Sequence, residues 1–257
     1  MNGLEPSSRT TIARRILTRL APAGPEIRIA DVRIGLGYTA VMLADSRAGV
    51  AYTFRERAKG GCSVFTGVRP IAGRTAAELL PLVESRDVVE AAVGLACANA
   101  LANIDRAGYI DGDVLDHLDL GPADDVAMIG LFAPLVGPIR RRARSLTVVE
   151  LIDEPDGELR PRQEAAETLR RCHVALITAT SIINGSVDCL LEAAAGCRQT
   201  AILGASTPLL PEVFAGTHVT ILSGVIVHNP SGILQIVSEG GGMRFFGPHI
   251  RKVSLTV

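Results

Sequence analysis

Between Thr178 and Asp188 the chain reads TATSIINGSVD, directly after the apolar run HVALI. Such a stretch can cap a helix, because an Asn or Ser side chain accepts from otherwise unpaired first-turn amides. It can also contact a ligand through its hydroxyls and backbone N–H groups. A cap at Asn184 or Ser186 needs one such residue, and Thr178, Thr180 and Ser181 stand here as well. The surplus points to a ligand-contacting loop. GASTP, from Gly204 to Pro208, has the same double nature. Ser206 or Thr207 can cap a helix with Pro208 in its first turn.

Two further stretches bear on nucleotide chemistry. GLFAPLVGP, from Gly130 to Pro138, contains neither G-x-G-x-x-G nor a phosphate-binding P-loop. Phe132 and Pro134 stand where glycines would admit a pyrophosphate, which disfavours ordinary NAD binding. Glu150 ends the run LTVVE at a spacing that suits a ribose contact. A solvated carboxylate at a strand end reads the same way. Of the five His, 173 and 218 open strands, 117 lies in a connection and 249 in the tail. His228 alone falls at a strand's carboxyl end, so it is the candidate for an imidazole–carboxylate metal site with Glu150 and Asp153.

The elements that must position these residues fall into two grammars. From Glu26 to Gly67, EIRIADVRIGL, YTAVMLA, GVAYTFRER and CSVFTGV read as strands joined by tight turns, hence an antiparallel sheet. In AYTFRER the alternation places Tyr52 and Phe54 on one face and Thr53, Arg55 and Arg57 on the other. Two helices follow, TAAELLPLVES and VVEAAVGLACANALANI, the second apolar almost all round. Asp105 to Asp125 reads as a connection between domains. From Val126 onward apolar strands alternate with helices, which predicts a parallel sheet covered on both faces, an open Rossmann-like arrangement. The expected division is an α+β domain over 1–120 and an α/β domain over 121–257. In such sheets ligands bind outside the carboxyl ends of the strands, and all the loops above lie there.

Bulk properties set the exclusions. The 257 residues are 47% hydrophobic and 21% charged with net charge −1. That balance favours neither nucleic acid nor an anionic membrane as partner. No apolar run reaches the length of a spanning helix. Residues 7–21 read as an amphipathic helix with Ile12, Ile16, Leu17 and Leu20 on one stripe, packed on the surface. Its Arg-rich face carries no role the sequence defines. RRRAR, from Arg140 to Arg144, suits a helix C-terminus. The five Cys show no CxxC, and no disulfide scaffold is indicated, so a reducing cytoplasm is the expected location. Cys189 and Cys197, eight apart on one helix, read as core thiols.

TATSIINGSVDCLL, ILGASTPLLPEVF and IVSEGGGMRFFG, with SVFTGVRPIAGRTAAELLPLVES and AAVGLACANALAN earlier, resemble the putative heavy-metal chelation domain family over nearly the whole chain. The resemblance implies an N-terminal domain folded like that of enolase and a C-terminal Rossmann-like domain, with a ligand site in the cleft between them. Carried onto matching positions, its loop residues are Thr178, Thr180, Asn184, Ser186 and Asp188, then Gly204, Ser206, Thr207 and Pro208. Asn99 could face the cleft from the long helix, or bond a backbone carbonyl as a buried Asn must bond something.

Read from the residues, these loops offer oxygen donors, whereas heavy metals favour thiolates and imidazoles. The cofactor is then a divalent or heavy-metal ion, or a metal complex held through its carboxylates. The expected partner is a small molecule or metal, with homo-oligomerisation left open. Two other functions stay beside metal binding: an enzyme acting on a small anionic or nucleotide-like substrate in the same cleft, and a purely structural interaction module.

Overall fold

The computed structural model describes residues 10–58, 60 and 63–257. The first helix, α1 (Ile12–Leu20), buries Ile12, Ile16 and Leu20, and Thr11 caps it by accepting from Arg14 N. The expected start of this helix at residues 7–9 lies outside the described residues. Strands β1 (Ile29–Ile34), β2 (Tyr38–Leu43) and β3 (Ala48–Tyr52) form an antiparallel meander in that order. The expected fourth strand is absent among the described residues 63–68, where Val64 and Val68 are exposed and no ladder forms. The alternation read in AYTFRER also stops at Tyr52. Thr53 turns inward and shares a 2.9 Å hydrogen bond with Thr39, and Arg55–Arg57 form a 3-10 turn.

The short α2 (Ala76–Leu79) starts at a reciprocal cap between Thr75 and Glu78 and continues as a 3-10 turn. It leads into α3 (Val88–Ala102), capped by Asp87 and buried at every residue from Ala91 to Ala102. Its many small side chains allow the meander to lie on its backbone. A Cβ on Gly49 of β3 would fall 2.2 Å from Ala100 N.

The stretch read as a connection carries β4 (Ile110–Asp111). Then come β5 (Asp125–Ile129), α4 (Ala133–Arg142), β6 (Ser145–Val149), β7 (Leu159–Arg160), α5 (Ala165–Arg171), β8 (Val174–Thr178), α6 (Thr180–Ile183), α7 (Val187–Ala193), β9 (Gln199–Leu203), α8 (Pro211–Phe214), β10 (Ile221–Val227), α9 (Pro230–Ser238), α10 (Met243–Phe246) and β11 (Ile250–Thr256). The sheet order is β4-β11-β10-β9-β8-β5-β6-β7. From β10 across to β7 all pairings are parallel, while β11 runs antiparallel to β10, and β4 to β11. The second sheet is thus mostly parallel, with an antiparallel margin where a tail was expected. From β5 the chain winds outward to β6 and β7, then returns to β8 on the other side of β5 and winds away through β9 and β10. The reversal places the switch point between β5 and β8.

The two sheets share one apolar core, a continuous cluster containing Ile12 and Leu95 as well as Ile177 and Leu222. Polar ties cross the same boundary. Ile12 N donates to Asp188 at 3.0 Å, and Arg15 donates to the carbonyls of Val213 and Ala215. The reading of Cys189 and Cys197 as two core thiols fails. Cys189 lies on the exposed face of α7, and because that helix stops at Ala193, Cys197 lies beyond it, beside Cys172. Among the described residues no helix is long and apolar enough to cross a membrane.

Candidate functional site

The carboxyl ends of β5 and β8 touch. Gly130 takes φ +87°, and a Cβ there would lie 2.8 Å from the Thr178 methyl, so only glycine lets the loop after β5 pass. Gly130 N donates to Val149 O at 2.8 Å, which aligns this loop with β6. Glu150 clasps the same loops: Leu131 N and Leu151 N each donate to its carboxylate at 2.8 Å. Its charge therefore sits at the N-terminus of α4, where a helix dipole favours an anion. The ribose role expected of Glu150 competes with these two amides for its oxygens.

The loop after β8 is bonded to itself. The Thr178 and Thr180 hydroxyls are 3.0 Å apart, and Ser181 donates its hydroxyl to Thr178 O at 2.7 Å. Asn184 Oδ1 accepts from both the Ser186 hydroxyl, at 2.6 Å, and the Ser186 amide, at 3.1 Å. Neither side chain caps the following helix; Asn184 instead shapes the turn and keeps its NH2 donors available. The capping role expected of GASTP also fails, because α8 begins only at Pro211 and carries no side-chain cap.

Around the switch point these loops enclose a cavity of about 740 Å³. Gly130, Phe132, Glu150, Thr178, Thr180, Asn184 and Ser186 line it, together with Ser181. The opposite wall comes from the first half of the chain: Tyr52, Phe54, Glu56 and Arg57. The turn that interrupted the expected strand delivers that wall. Arg162, from the connection between β7 and α5, completes it. Neither Arg57 nor Arg162 was expected here. Arg57 was read as the solvent face of a strand, and Arg162 showed only as a charge downstream of Glu150. Arg162 pairs with the exposed Asp153 at 2.7 Å, and the Arg57 guanidinium lies 6.0 Å from the Phe54 ring centre. Tyr52 packs edge-on against Phe54, and burial, with the charge of Glu56 second, raises its hydroxyl above the ordinary tyrosine value. None of the described lining residues is His, Lys or Cys.

The other expected site residues lie elsewhere. Gly204, at φ +113°, lines a second cavity of about 450 Å³ that shares Phe132 and Leu131 with the first. Ser206 is buried and accepts from Tyr52 N at 2.9 Å, and Thr207 and Pro208 are buried beside it. Asn99 donates to the carbonyls of Val50 and Ser206 across the boundary between the sheets, which is the backbone-bonding alternative. Asp188 anchors the start of α1. His228 lies at the end of β10, four strands from β6, or roughly 19 Å at the spacing of adjacent strands. That separates its imidazole from Glu150. Among the described residues no three His, Cys, Asp or Glu side chains form a group that could hold a metal ion.

Comparison with known proteins adds the following. A family model described as "Putative heavy-metal chelation" matches residues 113–256, and a second model with the same description matches residues 17–102. An uncharacterized protein of Methanocaldococcus jannaschii is 24% identical over 246 residues, covering 92% of this chain and 93% of that one. A crystal structure from Pyrococcus horikoshii, of a protein with unknown function, superposes with a TM-score of 0.85 at 23% identity, covering 96% of this chain and all of that one. A second, from Desulfitobacterium hafniense, also of unknown function, gives 0.80 at 20% identity, covering 95% of this chain and 98% of that one. At these identities the two structures speak for the fold.

Proposed function

Because this chain belongs to the family described as putative heavy-metal chelation, we propose that it binds a metal carried by a small anionic chelator, in the pocket at the β5–β8 switch point. One observation carries this reading: the donor set of the pocket. Arg57 and Arg162 offer forked N–H donors that match carboxylates. The hydroxyls of Thr178 and Thr180 and the NH2 of Asn184 supply neutral contacts between them. Tyr52, Phe54 and Phe132 provide apolar walls. What is missing among the described residues is a group of three ligands able to hold a bare ion. The pocket therefore favours the ligand shell of a complex over the naked metal. The exposed Asp153 partner of Arg162 is one that a ligand carboxylate can replace.

Catalysis on a small anionic or nucleotide-like substrate would use the same pocket, and the switch-point location supports it. Turnover needs a proton acceptor. The described lining contains no His, Lys or Cys, both Glu150 oxygens already accept from loop amides, and Glu56 on the opposite wall is the other lining carboxylate. Binding is the better-supported reading.

Thermal melting separates these cases. A ligand that binds only the folded state at about 100 times its Kd adds about 2.7 kcal/mol. Nickel citrate should raise the melting temperature more than citrate or nickel ion alone, and Arg162→Ala should remove most of that gain. An equal rise with nickel ion alone, kept in Arg162→Ala, would contradict the reading.

A further inference from the structure

Cys172 and Cys197 stand at the opposite, amino edge of the same sheet. The length of β8, about 15–20 Å at strand rise, separates them from the pocket. Cys172 ends α5 two residues before β8, and Cys197 follows the 3-10 turn Ala194–Gly196 two residues before β9. Val174 and Gln199 are registered partners, so the register sets the two cysteines opposite each other. Their sulfurs are 3.3 Å apart, and lie 3.4 and 3.5 Å from Leu169 O. Cys197 is half-exposed. Cys172 is buried from the surface but lines a polar cavity of about 480 Å³ with Arg160, Glu164 and Arg171.

The two sulfurs lie at hydrogen-bond distance, and either can donate. Tetrahedral zinc wants four ligands, and no group of three ligand side chains exists here among the described residues. Two thiolates suit a soft ion of low coordination number.

We infer that Cys172 and Cys197 form a two-thiolate site for a thiophilic ion of the Cu(I) type, separate from the carboxyl-edge pocket. Two metal–sulfur bonds form, two S–H bonds break, and both protons go to solvent; no oxidation state changes. Taking the zinc–thiolate length of about 2.3 Å as a guide, a linear arrangement needs about 4.6 Å between sulfurs, so the half-exposed Cys197 must swing outward. The cavity beside Cys172 is lined by Arg160 and Arg171 together with Asp125, Glu164 and Glu167, and Arg171 pairs with Glu167 at 2.6 Å. The site supplies the soft donors that the pocket lacks.

The test is retention of Cu(I) by the reduced, full-length protein against bathocuproine disulfonate without oxygen, with free thiols counted. Wild type should retain one equivalent and lose two titratable thiols. Cys197→Ser and Cys172→Ser should each release the copper, and Cys189→Ser should keep it. Circular dichroism of the metal-free variants separates loss of the site from loss of the fold, and the more exposed Cys197 is the safer substitution. Copper retained equally in Cys197→Ser, or released by wild type, would overturn the inference. So would a Cys172–Cys197 disulfide forming in air in a wild type that retains no copper, which would mark a redox couple instead. Arg162→Ala should keep Cu(I) while losing the nickel citrate response, so the two sites fail independently.

Discussion

Asn103 caps the end of α3 and uses both ends of its amide on the other half of the chain. Its NH2 donates to Thr207 O and Val225 O, and its oxygen accepts from Leu209 N at 2.8 Å. All are buried, so Asn103→Ala strands backbone groups away from water. The expected loss is about 2–3 kcal/mol, read as a lower urea midpoint at unchanged slope. Asp125 gives a pH signature. The Arg144 guanidinium, with Ser145 beside it, bonds its carboxylate and holds the pKa at about 2. The folded value lies below the unfolded one, about 3.9. The stabilisation is therefore complete above pH ~4 and lost as pH falls through about 2. Asp125→Asn should lower stability at neutral pH and flatten its decline between those limits, as urea midpoints across a pH series would record. An unchanged slope would contradict the assignment.

The close contact between β3 and α3 depends on one missing side chain. Gly49→Ala would drive a methyl to 2.2 Å from Ala100 N and 2.3 Å from Ala96 O, backbone atoms that cannot rotate away. The expected cost is about 1–3 kcal/mol, measurable by urea or thermal unfolding. At this scale the sequence was legible where periodicity reports burial. The meander, the buried α3 and the alternation of apolar strands with helices all announce themselves. Where local pattern and tertiary surroundings diverge, it was not. CSVFTGV alternates like a strand, yet its described residues 63–68 join no ladder, whereas RKVSLTV reads as a tail and becomes β11 because β10 offers an open edge. The loops were placed at the correct edge of the sheet by the carboxyl-end rule. Which residues share a pocket depends on strand order. That order brings Thr178 to Gly130, sends His228 four strands away, and carries Arg57 across from the first half.

In the whole molecule the two sheets are joined by a continuous core and by the buried amides of Asn99 and Asn103. Calorimetry should show a single unfolding transition, and two resolved transitions would contradict that coupling. The pocket draws its walls from both halves, so an occupant would tie them further together. The most direct test of metal-complex binding is anomalous diffraction at the nickel edge from crystals saturated with nickel citrate. The account predicts a nickel peak inside the cavity between Arg57, Arg162 and the Thr178–Asn184 loop, with ligand carboxylates on the two guanidinium groups. A cavity left empty at saturation, or nickel bound only elsewhere on the chain, would contradict it.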